Sequence, residues 1–310
     1  MKHLIQRSML ILPVNVPRFV QKAHLRGADA IVLDLEDAVP HSEKEDARKL
    51  VKHAVELSGL GGADVLVRVN NEPQFIEADL DAAVHQGLHG IFVPKVESPT
   101  DVTSIENLIA RLENKRGIDL GMIKLSVHIE SPRGLLNIRE IAAVGTRIES
   151  MSLGVDDYCL ELGVEPSEDG TELFFPMSMM ATICKAARIN PIGIQGSVAG
   201  FRDPAGFERA SERSRSFGFT GGYCIHPDQV PILNRVFSPS PAKIDHAHRV
   251  IFAFEEGLRN GRASVSLDNR MVDTPIYKQA KLCIERAEAI AALELRKSES
   301  LKKLGVGSKR

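Results

Sequence analysis

The sequence predicts an α/β fold, a parallel (β/α)8 TIM barrel followed by a C-terminal helical extension. Three observations carry that expectation. Eight short β-type runs recur along the 310 residues. Their starts lie about 20–40 residues apart, room for one helix and two loops per unit. The segments between them repeat apolar residues at helical spacing. The first strand-to-helix turn, LPVNVP, lacks the GxGxxG fingerprint of a doubly wound sheet. Alternating βα units in one chain of this length point to a barrel.

The elements follow in order. MLILPV opens the chain as a first strand. Pro13, Asn15 and Arg18 cut its apolar run too short for a signal peptide. Val16, Phe19, Val20 and Ala23 fit the first helix. DAIVLDLE and VLVRVN are the second and third strands. Ile76, Leu80, Ala83 and Val84 mark the helix before GIFVPKV, the fourth. SPTD then places Ser98 as cap and Pro99 at the first helical position, ahead of Val102, Ile105, Leu108, Ile109 and Leu112. After LSVHIE, SPRG repeats the device ahead of Leu135, Ile138 and Ala142. SMSLGV, PIGIQG and GYCIH complete the eight.

A short helix around PDQVPILNRVF ends in SPSP, a breaker cluster. The expected division is residues 1–237 as the barrel with its active site, and 238–310 as a helical arm. The arm shows two helical patterns, Ile244 to Leu258 and Ile276 to Ile290, joined by RNGRASVSLDNRMVD. It should pack on the barrel or on a neighbouring subunit. The tail KSESLKKLGVGSKR reads as polar and frayed.

Composition narrows the class. Hydrophobic residues make up 43% and charged residues 26%, with a net charge of −2. That balance argues against a nucleic-acid surface or a polybasic membrane surface. No run approaches the roughly 20 apolar residues of a membrane span. Cys159, Cys184, Cys224 and Cys283 form no CxxC pair, so reduced thiols in a cytoplasmic protein are expected. Neither a GxxxxGK[ST] loop nor HExxH is present.

Strand alternation sorts the candidates. Ile31, Leu33 and Leu35 should face the outer helices, leaving Val32, Asp34 and Glu36 inward or upward. By the same rule Arg68, Asn70, His128 and Glu130 turn inward, and Cys224 shares a face with His226. Polar residues therefore gather near the C-terminal ends of the strands, where barrels build active sites. Glu36, Asp37, Glu130, Asp156 and Asp157 give that mouth an acidic excess, which Arg68 and Lys95 offset only in part. Carboxylates so crowded repel unless a cation sits among them. All-oxygen ligands suit Mg²⁺, with Mn²⁺ as a substitute, over zinc. Arg68 beside a metal suits a carboxylate-bearing substrate.

Plainer roles stay open from the residues alone. Asp34 reads as scaffold, bonding backbone or arginine. Glu36 and Asp37 fit a helix cap and a solvated loop charge as well as a site. Glu130 could serve only to precede the next helix, and Arg68 could be a structural ion pair. His128 and His226 fit satisfied core or loop histidines. Lys95 fits a Schiff-base lysine poorly, because carboxylates around it would raise its pKa.

RSMLILPVNVPRFVQKAHLRGADAIVLDLEDAVP, RVN, GIFVPKVES, IESPRGLLNIREIA, SLGVDDYCLELG, FRDPAGF, IHPDQVPILNRVFSPS and RMVDTPIYKQA stand in order over nearly the whole chain. The set resembles the citrate lyase β-subunit-like family of the HpcH/HpaI aldolase superfamily, which includes malyl-CoA, β-methylmalyl-CoA and citramalyl-CoA lyases. The resemblance implies a barrel with a C-terminal extension, assembled as a homotrimer or homohexamer. It implies Mg²⁺ on Glu130 and Asp157, choosing Asp157 over Asp156. It gives Arg68 the keto-acid carboxylate and the reacting oxygen, and sets Glu36 and Asp37 beside the metal and its waters. Pro13 of the first loop and Asp157 join Arg68 as substrate contacts. Asp273 becomes an acid or base reaching a neighbouring subunit's site. The chain departs from the pattern at Val14, where many members have glycine, and around Gln195 and Gly200, where relatives often carry acidic residues.

The resemblance implies a Mg²⁺-dependent carbon–carbon lyase. Its substrate would be a 3-hydroxy-dicarboxylyl-CoA thioester, cleaved reversibly to acetyl-CoA or propionyl-CoA plus a 2-keto acid such as glyoxylate or pyruvate. Two alternatives accompany it. One is a class II aldolase on free hydroxy-keto acids. The other is a citrate lyase β-like subunit or a non-catalytic CoA-ester binder.

Overall fold

The computed structural model describes residues 5–306. Eight strands line a single barrel: β1 (Ser8–Pro13), β2 (Ala30–Asp34), β3 (Asp64–Arg68), β4 (Gly90–Val93), β5 (Lys124–Ile129), β6 (Ile148–Leu153), β7 (Asn190–Pro191) and β8 (Gly222–Cys224). They are hydrogen-bonded in the order β7-β6-β5-β4-β3-β2-β1-β8, and every pairing is parallel. The ring closes through one parallel bridge between Ile192 and Gly221. There Gly193 N donates to Gly221 O and Thr220 N to Pro191 O, each at 2.9 Å. A Cβ on Gly221 would stand 1.8 Å from Gln6 O, so a side chain at this closure would force β8 away from β1.

Alternation divides the apolar residues between two cores, as the sequence predicts for β2, β3 and β5. Ile31, Leu33, Leu35, Val65, Val67, Leu125, Val127 and Ile129 are buried in the layer between strands and helices. Val32, Leu66, Phe92 and Tyr223 fill the barrel interior. Full burial of each large aliphatic side chain stabilises the fold by about 1.5–3 kcal/mol. Two residues depart from the expected placement. Cys224 belongs to the outer layer, and the inward residue of β8 is Tyr223. Asn70 lies beyond the end of β3, so it turns to Lys44 and Asp79 on the outer helices.

Helix starts follow their caps. Ser98 and Asp101 form a reciprocal capping box on the helix Pro99–Arg116. Ser131 accepts from Gly134 N at 3.0 Å and opens Pro132–Leu136. Ser240 caps Pro241–Arg259 by accepting from Lys243 N.

The helix Pro241–Arg259 pairs with the long helix Thr274–Lys303 around Ala247, Val250, Phe254, Val272 and Ala280. Between them the stretch read as a connector holds a hairpin, β9 (Val265–Leu267) and β10 (Arg270–Val272). Asp268 and Asn269 turn it with φ of 50° and 60°, the geometry of a two-residue hairpin loop. The long helix then crosses the N-terminal ends of the barrel strands. Arg286 Nη2 donates to Thr220 O at 2.7 Å, and Lys297 Nζ to Asp29 Oδ1 at 3.0 Å. The tail expected to fray is thus helical through Lys303. Its charges are partners of the barrel floor: Lys297 is buried between Asp29 and Glu294. The last four residues of that tail lie outside the described residues.

Candidate active site

The polar cluster sits at the C-terminal ends of β2 to β6. It begins with Asp34 and Arg68, which are register partners on β2 and β3. Arg68 Nε donates to Asp34 Oδ1 at 2.7 Å and Nη2 to Oδ2 at 2.5 Å. Asp34 also accepts from Glu36 N at 2.8 Å and Ala38 N at 3.0 Å. It is the expected scaffold, bonding backbone and arginine at once. It fixes the plane of the guanidinium and shapes the loop that carries Glu36.

Glu36 is buried, neither a cap nor a solvated charge. Arg68 Nη1 lies 3.0 Å from its Oε2, and Lys95 Nζ 2.6 Å from its Oε1. Asp37 stands at the rim, half exposed, 3.7 Å from Arg68 and 3.6 Å from Lys95. Burial pushes the Glu36 carboxyl above the usual range against the pull of Arg68 and Lys95. Asp37 goes the other way, because Glu36, Arg68 and Lys95 outweigh its partial burial. Arg68 has five N–H donors. Asp34 takes two of them and Glu36 is ion-paired with Nη1, so Nη1 and Nη2 keep donor capacity for a substrate oxygen.

Lys95 has φ of 52°. A lysine in that region is strained by about 1 kcal/mol or more, and such strain clusters at functional sites. Burial would lower its pKa, but Glu36, Asp37 and Glu130 together raise it. The group is an ammonium, which disfavours the Schiff-base role.

Glu130 follows β5 and is buried. Its Oε2 has no hydrogen-bond partner among the described residues, and His128 Nε2 is 3.6 Å from its Oε1. Burial first, then the charges of Glu36 and Asp157, push its carboxyl up to about 8, against Lys95 and Arg68. Gly154 makes room for it: a Cβ there would lie 2.6 Å from Glu130 Cγ. Asp157 lies in the first turn of the helix Val155–Leu162 and presents its charge to Glu130. Asp156 is exposed and accepts from Ser197 Oγ at 3.1 Å.

Below Glu130 the barrel is polar. Ser126 Oγ and Tyr223 Oη are 3.0 Å apart, Ser150 donates to Ser126 at 2.8 Å, and Ser152 bonds His128 Nδ1 and Tyr223. Burial lowers His128 to about 3, with Arg68 adding to the effect, so the ring is neutral. Tyr223 was missed by a face assignment displaced by one residue. Lys44 was missed too: its buried ammonium donates to Leu35 O, Glu36 O and Asn70 Oδ1, clamping the end of the β2 loop. Its sequence neighbourhood is an ordinary charged helix start and gives no signal.

The other candidates fall elsewhere. Pro13 ends β1 in register with Asp34, at the mouth. Val14 is buried. Gln195 is a brace: its Nε2 donates to Gly170 O at 2.8 Å, and Arg213 Nε donates to its Oε1 at 3.0 Å. Gly200 borders open space. His226 stacks on Phe201, rings 5.2 Å apart. Asp273 caps the long arm helix by accepting from Ile276 N at 3.3 Å. Among the described residues, no hydrogen bond or ion pair joins it to the mouth of its own barrel.

Among the described residues no three His, Cys, Asp or Glu side chains form a ready metal cage. The chemistry of the mouth nevertheless fits Mg²⁺. Asp34, Glu36, Asp37, Glu130 and Asp157 bring five carboxyl groups against two cations, and Glu130 Oε2 is buried with no partner. Two oxygen ligands with waters completing the shell are usual for this ion.

Fold and site together define a class: a parallel (β/α)8 barrel with an acidic, arginine-braced mouth at the C-terminal ends of its strands. Within that class the chain belongs to the HpcH/HpaI aldolase/citrate lyase family, which its residues 7–227 match. It is 36% identical over 284 residues to the citrate lyase subunit beta of Escherichia coli strain K12, covering 91% of this chain and 93% of that one. It is 35% identical over 287 residues to a (3S)-malyl-CoA thioesterase of Cereibacter sphaeroides strain KD131, covering 92% and 96%. Among solved structures it is similar to CitE from Mycobacterium tuberculosis in complex with magnesium, acetoacetate and coenzyme A. The TM-score is 0.72 at 24% identity, over 93% of this chain and 100% of that one. At that identity the likeness speaks to the fold. No helix among the described residues is long and apolar enough to cross a membrane.

Proposed function

We infer that this protein is a Mg²⁺-dependent carbon–carbon lyase. It cleaves a 3-hydroxy-dicarboxylyl-CoA thioester, of the malyl-, β-methylmalyl- or citramalyl-CoA type, reversibly to acetyl-CoA or propionyl-CoA and a 2-keto acid. One observation carries this reading: the buried, unpartnered oxygen of Glu130, set among like charges within reach of a fixed Arg68. Kinship to citrate lyase subunit beta and (3S)-malyl-CoA thioesterase supports the class of substrate.

Glu130 and Asp157 would hold the ion, which supplies a Lewis acid beside the substrate's carboxylate and hydroxyl oxygens. Asp34 holds Arg68 in plane, so its free Nη1 and Nη2 hydrogens reach the keto-acid part without reorganisation. The substrate hydroxyl gives its proton to a water held by Glu36 and Asp37, and Arg68 stabilises the resulting alkoxide, which becomes the carbonyl as the C–C bond breaks. Glu36 and Asp37, anchored by Lys95, order water at the rim. The bond's electron pair passes to the acyl-CoA fragment as its enolate. Asp273 of a neighbouring subunit in a homotrimer or homohexamer protonates that carbon, or removes the proton in the synthetic direction. The place of Asp273 on an arm across the N-terminal end of its own barrel favours a partner's site over its own.

The deciding experiment offers the purified protein Mg²⁺ and a panel of malyl-, β-methylmalyl-, citramalyl- and hydroxymethylglutaryl-CoA, with products identified by mass spectrometry. Release of a 2-keto acid and a shorter acyl-CoA is expected from at least one. A folded, Mg²⁺-loaded protein that cleaves none would overturn the reading. It would favour the second one, a subunit of a larger lyase, which the likeness to citrate lyase subunit beta supports.

A further inference from the structure

A second cavity, of about 690 Å³, lies at the opposite end of the molecule, between the barrel floor and the arm. Its size is that of a small-molecule site. The body of the cavity is apolar, walled by Phe219, Phe237, Val250 and Ile276. Its charged lining is of one sign, Arg215, Lys243 and Arg286, with no carboxylate among the lining residues.

Arg286 is the informative member. Its guanidinium is half-buried, and the acceptors it finds are the backbone oxygens of Thr220 and Phe237. No ion pair compensates it among the described residues. Burial lowers its pKa and Arg7 adds to this, with Asp29 offsetting only part. Lys185 in turn has its pKa lowered by its own burial and by the charge of Arg286. Arg215 likewise donates to a backbone oxygen, that of Val236, at 3.1 Å. The nearest acid to His246 is Asp268, 4.0 Å away on the hairpin and outside the lining. A buried cation is costly without a counter-charge. An apolar groove with the half-buried, unpaired Arg286 inside it and the exposed Arg215 and Lys243 at its rim is complementary to an anion with an apolar body.

We propose that this cavity is a binding site for a small organic anion, a carboxylate or phosphate joined to an apolar moiety, at the opposite end of the barrel from its own mouth. The anion meets Arg286 and Lys243, and its body lies along Phe237 and Ile276. The proposal does not depend on the lyase chemistry.

Anilinonaphthalene sulfonate, an anion with an apolar body, is the probe, titrated into the full chain by fluorescence and calorimetry. One molecule should bind per chain at this site. Lys243 is exposed and outside any core, so Lys243→Glu should fold normally and weaken binding about tenfold. Arg286→Gln should weaken it further, and if that variant fails to fold, the Lys243→Glu result decides. Arg68→Ala, at the mouth, should leave probe affinity unchanged. Unchanged affinity in Lys243→Glu, or affinity that follows Arg68, would overturn the proposal. Octanoate and adenosine diphosphate then compete for the site. Displacement by the first points to a carboxylate ligand and by the second to a phosphate. Displacement by neither also overturns it.

Discussion

Asp34 and Arg68 stand side by side on adjacent strands and are joined by two hydrogen bonds of 2.7 and 2.5 Å. The same carboxylate holds the backbone of Glu36 and Ala38, so one buried residue sets both the cation and the acidic loop of the mouth. Asp34→Asn leaves Arg68 buried with half of its clamp. Stability should fall by about 3 kcal/mol in urea unfolding. Turnover should fall in the refolded fraction as well. A variant with parental stability and kcat/KM would show that the clamp positions nothing.

Glu130 is the most exposed of the assignments to a direct test. Glu130→Gln is close in shape and removes a buried carboxylate whose Oε2 is unpartnered, so the fold should survive. Mg²⁺ affinity measured by calorimetry should drop, and turnover should fall by about two to three orders of magnitude. Parental turnover without added metal would end the metal-dependent mechanism.

Gly154→Ala probes the same carboxylate from the other side. Its Cβ would lie 2.6 Å from Glu130 Cγ and 2.8 Å from His128 Nε2, so both side chains must shift. Overpacking should cost about 1–3 kcal/mol. The sharper effect should be on kcat, because the displaced group is the one proposed to hold the ion. Equal kcat with a lowered melting temperature would make Gly154 a packing residue only.

A pH prediction rests on the barrel floor. Burial alone would raise the Asp29 carboxyl, but hydrogen bonds and charges from Arg7 and Lys297 outweigh it and hold it below 3.8. A depressed carboxylate contributes stability above its unfolded pKa and loses it as pH falls through the folded pKa. The arm should therefore loosen below about pH 4. Asp29→Asn should be less stable at neutral pH, with a flatter decline on acidification. Parallel pH–stability curves for the two proteins would contradict this.

Shared sites can be tested by mixing. Asp273→Ala and Arg68→Ala chains should each be inactive alone. Co-refolded and verified as mixed oligomers, they should recover part of the parental activity, because some sites pair an intact Arg68 with an intact Asp273. No recovery would return Asp273 to a helix cap alone, the role its bond to Ile276 N already gives it.

Much of this molecule was legible in its sequence because periodicity and capping are local. Ser98 and Ser131 cap where their serine–proline pairs stand, and Ile31, Leu33 and Leu35 face the helices as alternation requires. The expected placement failed where a strand was shorter than its apolar run, at Asn70, and where β8 was assigned the wrong phase, at Cys224 and Tyr223. The tail was misjudged because its polarity looked like solvation. Lys297 is polar for another reason: it completes an ion network with Asp29 and Glu294 on the floor of the barrel.

By itself the sequence determined the eightfold βα rhythm, the strand ends that carry Arg68 and Glu130, and the acidic excess at their mouth. Only the tertiary structure decided how that excess is arranged. Asp34 is held by Arg68, Glu36 by Arg68 and Lys95, and of these carboxylates Glu130 is left with a buried oxygen that no other described residue satisfies. It likewise decided that the arm lies under its own barrel, with Arg286 lining a cavity between them. The reason is physical. Hydrophobic period and caps are written in neighbouring residues, whereas the partner of a buried charge comes from a distant strand or helix and exists only once the chain has closed.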